Sequence, residues 1–177
     1  MLLLGIAAMQ SCQNDMDAEV AQGGLHVTLG NVSSSISTRS TPAELGKPAK
    51  DLFNVRVETQ NGMVKYYGPL TDDIIKLGGG TYTVTAECGE NPILAADQPY
   101  YVGTTQVTVE TDKVTEASIE CKVGNALVSV VFGKNEEERA RFAKFYKQYG
   151  VNVKVGDYKV TIPGKTPELR AYFRAGT

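Results

Sequence analysis

The sequence predicts an all-β fold with one helix, an antiparallel β-sandwich, and three observations predict it. Short apolar-polar alternations recur from residue 24 onward, each bounded by Gly, Pro, Asn or Asp. Abundant Val and Thr and nine Tyr suit a pleated, half-buried surface, and 18 Gly supply turns. A helical apolar stripe interrupts the series between residues 135 and 150.

The first strand reads "GLHVTLGNV", residues 24–32, where Leu25, Val27 and Leu29 alternate with polar neighbours. A Ser, Thr and Pro-rich loop follows, "SSSISTRSTPAELGKPAK". "LFNVRVETQ" and "MVKYYG" then form a hairpin through Asn61-Gly62, a pair suited to a type I′ turn because both central residues there take positive φ. "DIIKL", a Gly78-Gly79-Gly80 turn and "TYTVTAEC" add two strands. After the loop "GENPILAADQP", a second hairpin joins "YYVGTTQVTVE" to "VTEASIECKV" through "TDK". "NALVSVVFG" is apolar enough to predict a central strand buried on both faces.

The helix begins at Asn135, whose side chain can cap the first turn, and Glu136, Glu137 and Glu138 suit its positive end. Gly150 is the expected residue just past its last turn. Phe142, Phe145, Tyr146 and Tyr149 fall on one stripe, predicted to pack on a sheet. "VNVKVGDYKVTI" reads as a hairpin about Gly156-Asp157, and "ELRAYFRAGT" as a strand still open at the last residue, which suggests that the natural protein continues. About ten short strands and one helix suit a sandwich with the helix at one side or end.

The start of the chain is of another kind. Leu2 to Met9 form an apolar run of eight residues, the length of a secretory h-region and short of the roughly 20 needed to span a bilayer as a helix. Ser11-Cys12 after that run resembles the lipobox of bacterial lipoproteins, in which the cysteine is acylated and becomes the new N-terminus; two or more acyl chains hold a protein stably on a membrane. Met9 and Gln10 depart from the commonest lipobox residues, and no Lys or Arg precedes Cys12, as though the basic n-region were truncated. The alternative is a buried apolar N-terminal strand with a free Cys. "QNDMDAEVAQGG" is polar and acidic, as a tether would be. The predicted organisation is a signal peptide over 1–11, a lipidated Cys and tether over 12–23, and a sandwich over 24–177.

Charge and composition exclude several classes. A formal charge of −2, with 18 Lys and Arg scattered among 20 Asp and Glu, gives no reason to expect nucleic acid. Any zinc site, Ser-His-Asp triad or Cys-His dyad would have to be built around His26, which reads as an outward strand position. No metal or cofactor is expected. Cys88 and Cys121 alternate inward; they form either a disulfide, closing a loop of about 33 residues and contributing about 3 kcal/mol, or two separate buried thiols. The acid pairs Asp72-Asp73 and Glu87 with Glu90 do not make a glycosidase, because strand neighbours point to opposite faces, and no catalytic residue is expected. In the pairs Tyr66-Tyr67 and Tyr100-Tyr101 one ring must face away from the core, where it could stack on a sugar or simply cover the sheet.

Cys12, "LHVTLGNV" followed by "STRSTP", "GGGTYTVTAEC" and "ASIECKVGNALVSVVF" together resemble the fimbrillin-like lipoproteins of Bacteroidetes, and within them a sister family of lipoprotein N-terminal domains of unknown function. The resemblance implies a transthyretin-like sandwich on a non-enzymatic surface protein, whose partners are the membrane through its lipid anchor and either other pilus subunits or surface glycans. The acidic residues after Cys12 resemble an export signal to the outer face of the outer membrane, the periplasmic face being the alternative. In fimbrillin assembly a protease cuts after an arginine that follows the first strand, and another subunit's strand fills the groove so opened. Arg39 in "SISTRSTP" is the matching position. It is otherwise a solvated loop residue, with the first strand staying in place. The other reading of the chain is a spacer or glycan-binding N-terminal part of a longer outer-membrane protein of polysaccharide capture.

Overall fold

The computed structural model describes residues 21–33, 35–36, 43–164 and 169–176, and within them the protein is all-β with one α-helix. Cys12 and Arg39 lie outside the described residues. The strands are β1 (Gln22–Ser33), β2 (Ser35–Ile36), β3 (Ala43–Glu44), β4 (Asn54–Thr59), β5 (Val64–Pro69), β6 (Ile75–Gly78), β7 (Gly80–Cys88) and β8 (Leu94–Ala96). They continue as β9 (Tyr101–Val109), β10 (Val114–Val123), β11 (Asn125–Val128), β12 (Gly150–Val155), β13 (Tyr158–Pro163) and β14 (Ala171–Arg174), with helix α1 (Glu136–Phe145) between β11 and β12.

Seven strands form one sheet in the order β5-β4-β7-β9-β10-β1-β6. Its inward alternate residues converge on one core that includes Leu25, Val27, Val55, Val84 and Ile119, joined by Phe53 just before β4. Tyr66 of β5 and Ile75 of β6, at opposite ends of the strand order, pack on that same core. The sheet therefore curls over its own apolar face into a sandwich close to a barrel, as twisted strands with one buried face must. Pairing is antiparallel except for β1 against β10, which run parallel from Gly24 opposite Val114 to Ser33 opposite Lys122.

A second, smaller core joins Leu94, Ile162 and Ala171, with Val128, Val153, Val160 and Phe173 packed around them. It belongs to the sheet β11-β14-β8 and the two-stranded β12-β13 ribbon. Asn125 ties the region to the segment that leads into β9: its Nδ2 donates to the Gln98 carbonyl at 2.9 Å, and its Oδ1 accepts from the Tyr100 amide at 3.2 Å.

Four expectations change. Asn61 does not take positive φ; Gly62 alone does, at 80°, and the Gly62 amide bonds the Thr59 carbonyl, so the β4-β5 connection carries a Gly bulge instead of a type I′ turn. "NALVSVVFG" contributes only the four-residue edge strand β11, half-buried, because among the described residues β14 covers one of its sides and no strand the other. The α1 stripe does not pack on a sheet: no α1 residue is buried, Phe145 is exposed, and Phe142 stacks instead with Phe132, Tyr146 and Tyr149 at centroid distances of 4.6–5.7 Å. The helix stops at Phe145, so Gly150 opens β12 and does not cap α1. Its N-terminus is as expected, with Asn135 Oδ1 accepting from the Glu138 amide at 2.9 Å.

Candidate functional site

Two features stand out, one on each side of the sheet. The first is the seat of β1. Leu25, Val27 and Leu29 enter the main core at 0, 3 and 8% exposure. On one side β1 pairs with β10, and on the other Gln22–Leu25 pair antiparallel with β6. Its N-terminal end is tightly packed: a Cβ at Gly23 would lie 2.2 Å from the Glu110 carbonyl oxygen, and one at Gly24 would lie 2.6 Å from Ile74 Cγ2. Outward, His26 Nδ1 lies 2.6 Å from Glu116 Oε2 across the parallel pair. β1 therefore fills a slot between β10 and β6, which among the described residues meet through it, and burying its three apolar side chains is worth about 5–9 kcal/mol in total.

The second feature lies on the outer face at the other end of the sheet. Strand alternation turns Tyr66 inward, half-buried, with its hydroxyl donating to the Pro69 carbonyl at 3.2 Å, and leaves Tyr67 57% exposed. Tyr101 points inward at 3% exposure and donates to the Gly46 carbonyl at 2.6 Å, whereas Tyr100 lies outward and half-buried. Arg56 pairs with Tyr67 across β4-β5, and its guanidinium carbon sits 5.1 Å from the Tyr67 ring centre, a cation-π contact. The same guanidinium lies 3.6 Å from Glu87 Oε1, and Glu87 Oε2 accepts the Tyr100 hydroxyl at 2.8 Å. Burial first, then the hydrogen bond and charge of Glu87, push the Tyr100 hydroxyl up to about 12, with Arg56 opposing. Tyr67, Arg56, Glu87 and Tyr100 thus make one continuous diagonal row that runs from β5 over β4 and β7 to the residue just before β9. Two aromatic rings flank a paired cation and carboxylate, a set that offers stacking at its ends and directed hydrogen bonds in its middle.

The tyrosine pairs are legible in the sequence; the pairing of Arg56 with Glu87 is not. The available signal was their polar, outward place in "NVRVET" and "TYTVTAEC", but only the β4-β7 register, with Asn54 opposite Glu87, makes them neighbours.

Cys88 and Cys121 are both free thiols on the core side of the sheet. They sit on β7 and β10 with β9 between them in the strand order, and the Cys121 thiol points at the Ala86 carbonyl, 3.8 Å away. Burial pushes the Cys121 thiol up to about 11, the nearby Cys88 adding to it, and burial also raises Cys88. Among the described residues no group of three or more His, Cys, Asp or Glu side chains could hold a metal ion, and no helix is long and apolar enough to cross a membrane.

The family described as a domain of unknown function, DUF4493, matches residues 21–177, from the first residue before β1 to the end of the chain. The chain belongs to the DUF4493 family. Both features lie inside the DUF4493 match. No curated protein matches the chain. Among solved structures, it is similar to the fimbrial anchor protein Mfa2 from Porphyromonas gingivalis, at 13% identity and a TM-score of 0.40 over 85% of this chain and 71% of that one.

Proposed function

We propose that the protein is a non-enzymatic, lipid-anchored cell-surface module of the fimbrillin-like kind, working in adhesion or pilus assembly through exchange of its first strand. In this reading residues 1–11 direct export, Cys12 carries the lipid, and the folded part begins with β1 at Gln22, two residues before the sequence pattern places it. The observation that supports it is the place of β1: the first strand among the described residues, which fills the slot between β10 and β6. Cys12 precedes β1 and Arg39 follows it. One cut after Arg39 would therefore separate the body from its lipid and, once β1 leaves, expose an apolar groove lacking about 5–9 kcal/mol of burial, a strong drive to accept another strand.

Limited trypsin treatment of residues 13–177 tests this, with fragment masses and light scattering as readouts. The reading expects selective cleavage after Arg39, loss of 13–39 and self-association. A nicked protein that retains β1 and stays monomeric would refute it.

A second reading, a spacer or glycan-binding part of a longer outer-membrane protein of polysaccharide capture, is favoured by the Tyr67-Arg56-Glu87-Tyr100 row. Its length and chemistry suit a short oligosaccharide stacked on Tyr67. A glycan array probed with the native protein and with Tyr67→Ala should then give hits that the variant loses. An array with no hits, or the same hits for both, counts against it.

A further inference from the structure

The slot that β1 occupies sets a sequence rule for whatever can replace it. Leu25, Val27 and Leu29 must be apolar, because they sit in the core. Gly24 must stay small against Ile74 and Val114, and Gly30 sits where a Cβ would be 3.0 Å from Ser118 Oγ. The rule is Gly-apolar-x-apolar-x-apolar-Gly, written in β1 as "GLHVTLG". One other segment of the chain satisfies it: "GVNVKVG", Gly150 to Gly156, which is β12 and the first residue of its turn.

We propose that β12 of a second copy of this chain is the strand that enters the β1 slot; the inference rests on the strand-exchange reading above. Three observations favour that occupant. Among the described residues β12 pairs only with β13 in a two-stranded ribbon, an arrangement of marginal stability by itself, and Val151, Val153 and Val155 are only half-buried there. Moved into the slot they take the places of Leu25, Val27 and Leu29 and become fully buried. Outward positions agree in charge: Lys154 takes the place of Thr28, opposite Ser118 on β10 with Glu116 and Glu120 two residues to either side.

One position disagrees and fixes the register. Tyr149 falls where Gly23 stands, and a Cβ there would meet the Glu110 carbonyl oxygen at 2.2 Å. The donor therefore pairs from Gly150 onward, with Tyr149 turned out of the slot. Because donor and slot are different parts of one chain, the contact is head-to-tail and builds an open row of subunits.

The test uses residues 13–177 nicked after Arg39, with fluorescent peptides followed by anisotropy. The probes are residues 22–31, 149–156, 149–156 with Tyr149→Gly, and 149–156 with Val153→Asp. The proposal expects 22–31 and 149–156 both to enter the nicked protein and not the uncut one. It expects Tyr149→Gly to bind at least about tenfold tighter, and Val153→Asp to bind more than about a hundredfold weaker. Entry of 22–31 without 149–156 overturns this proposal and leaves strand exchange standing. Equal binding of 149–156 and its Val153→Asp form also overturns it. Entry of neither peptide refutes strand exchange itself, and this inference with it.

Discussion

Replacing Leu25 by Ala probes the β1 seat directly. Leu25 is fully buried, packed in the main core and paired on both sides of its strand. Removing its isobutyl branch forfeits burial and leaves a cavity that the flanking strands can collapse only in part, which places the cost at about 3 kcal/mol. Equilibrium urea unfolding measures it: at a slope of about 2 kcal/mol per molar, the midpoint falls by about 1.5 M. Leu52→Ala, at a side chain 59% exposed, is the control and should move the midpoint by less than about 0.25 M. The same loss reappears in nicked protein as a roughly hundredfold faster release of β1, if the strand's contacts form after the transition state. A Leu25→Ala midpoint within about 0.3 M of the control would refute the claim that β1 is an integral wall of the core.

Three further predictions concern other parts of the molecule. Gly103→Ala sets a Cβ 2.2 Å from the Glu120 carbonyl oxygen and 2.8 Å from Ile119 Cγ2, so β9 and β10 must part; thermal or urea unfolding should show a loss of about 2 kcal/mol, while Gly46→Ala, with nothing within 4 Å, changes little. The Tyr100 hydroxyl titrates near 12 in the fold, so its contribution to stability is complete below the unfolded tyrosine value of about 10 and is lost as pH rises through about 12; Glu87→Gln should lower the titration and Arg56→Ala raise it, both read by ultraviolet absorbance. Cys88 and Cys121, with thiols raised by burial, should react slowly with a disulfide reagent at pH 8 in the fold and fast in urea, and a single non-reducing mass consistent with two free thiols would match them.

What the sequence made legible was local. The alternation of Leu25, Val27 and Leu29, the split of each Tyr pair into one inward and one outward ring, and the Asn135 cap all follow from periodicity or side-chain chemistry within a few residues, though which ring faces out does not. What it hid was the partner of each strand. Nothing in "GLHVTLGNV" says that it lies parallel to "VTEASIECKV" some 90 positions later, and that pairing makes β1 a plug between β10 and β6. The Arg56-Glu87 contact was hidden for the same reason, since only the sheet register brings β4 and β7 side by side. "NALVSVVFG" and the α1 stripe misled because an apolar run states that a segment can be buried, not that a neighbour exists to bury it.

Hydrogen exchange followed by mass spectrometry, on residues 13–177 before and after cleavage at Arg39, tests the exchangeable strand most directly. Amides of β10 that face β1, together with those of β6, should be protected in uncut protein, exchange rapidly in the nicked and stripped monomer, and regain protection in the assembled product. Unchanged protection of β10 and β6 through all three states would mean that β1 never leaves its slot, and the account of assembly would be wrong.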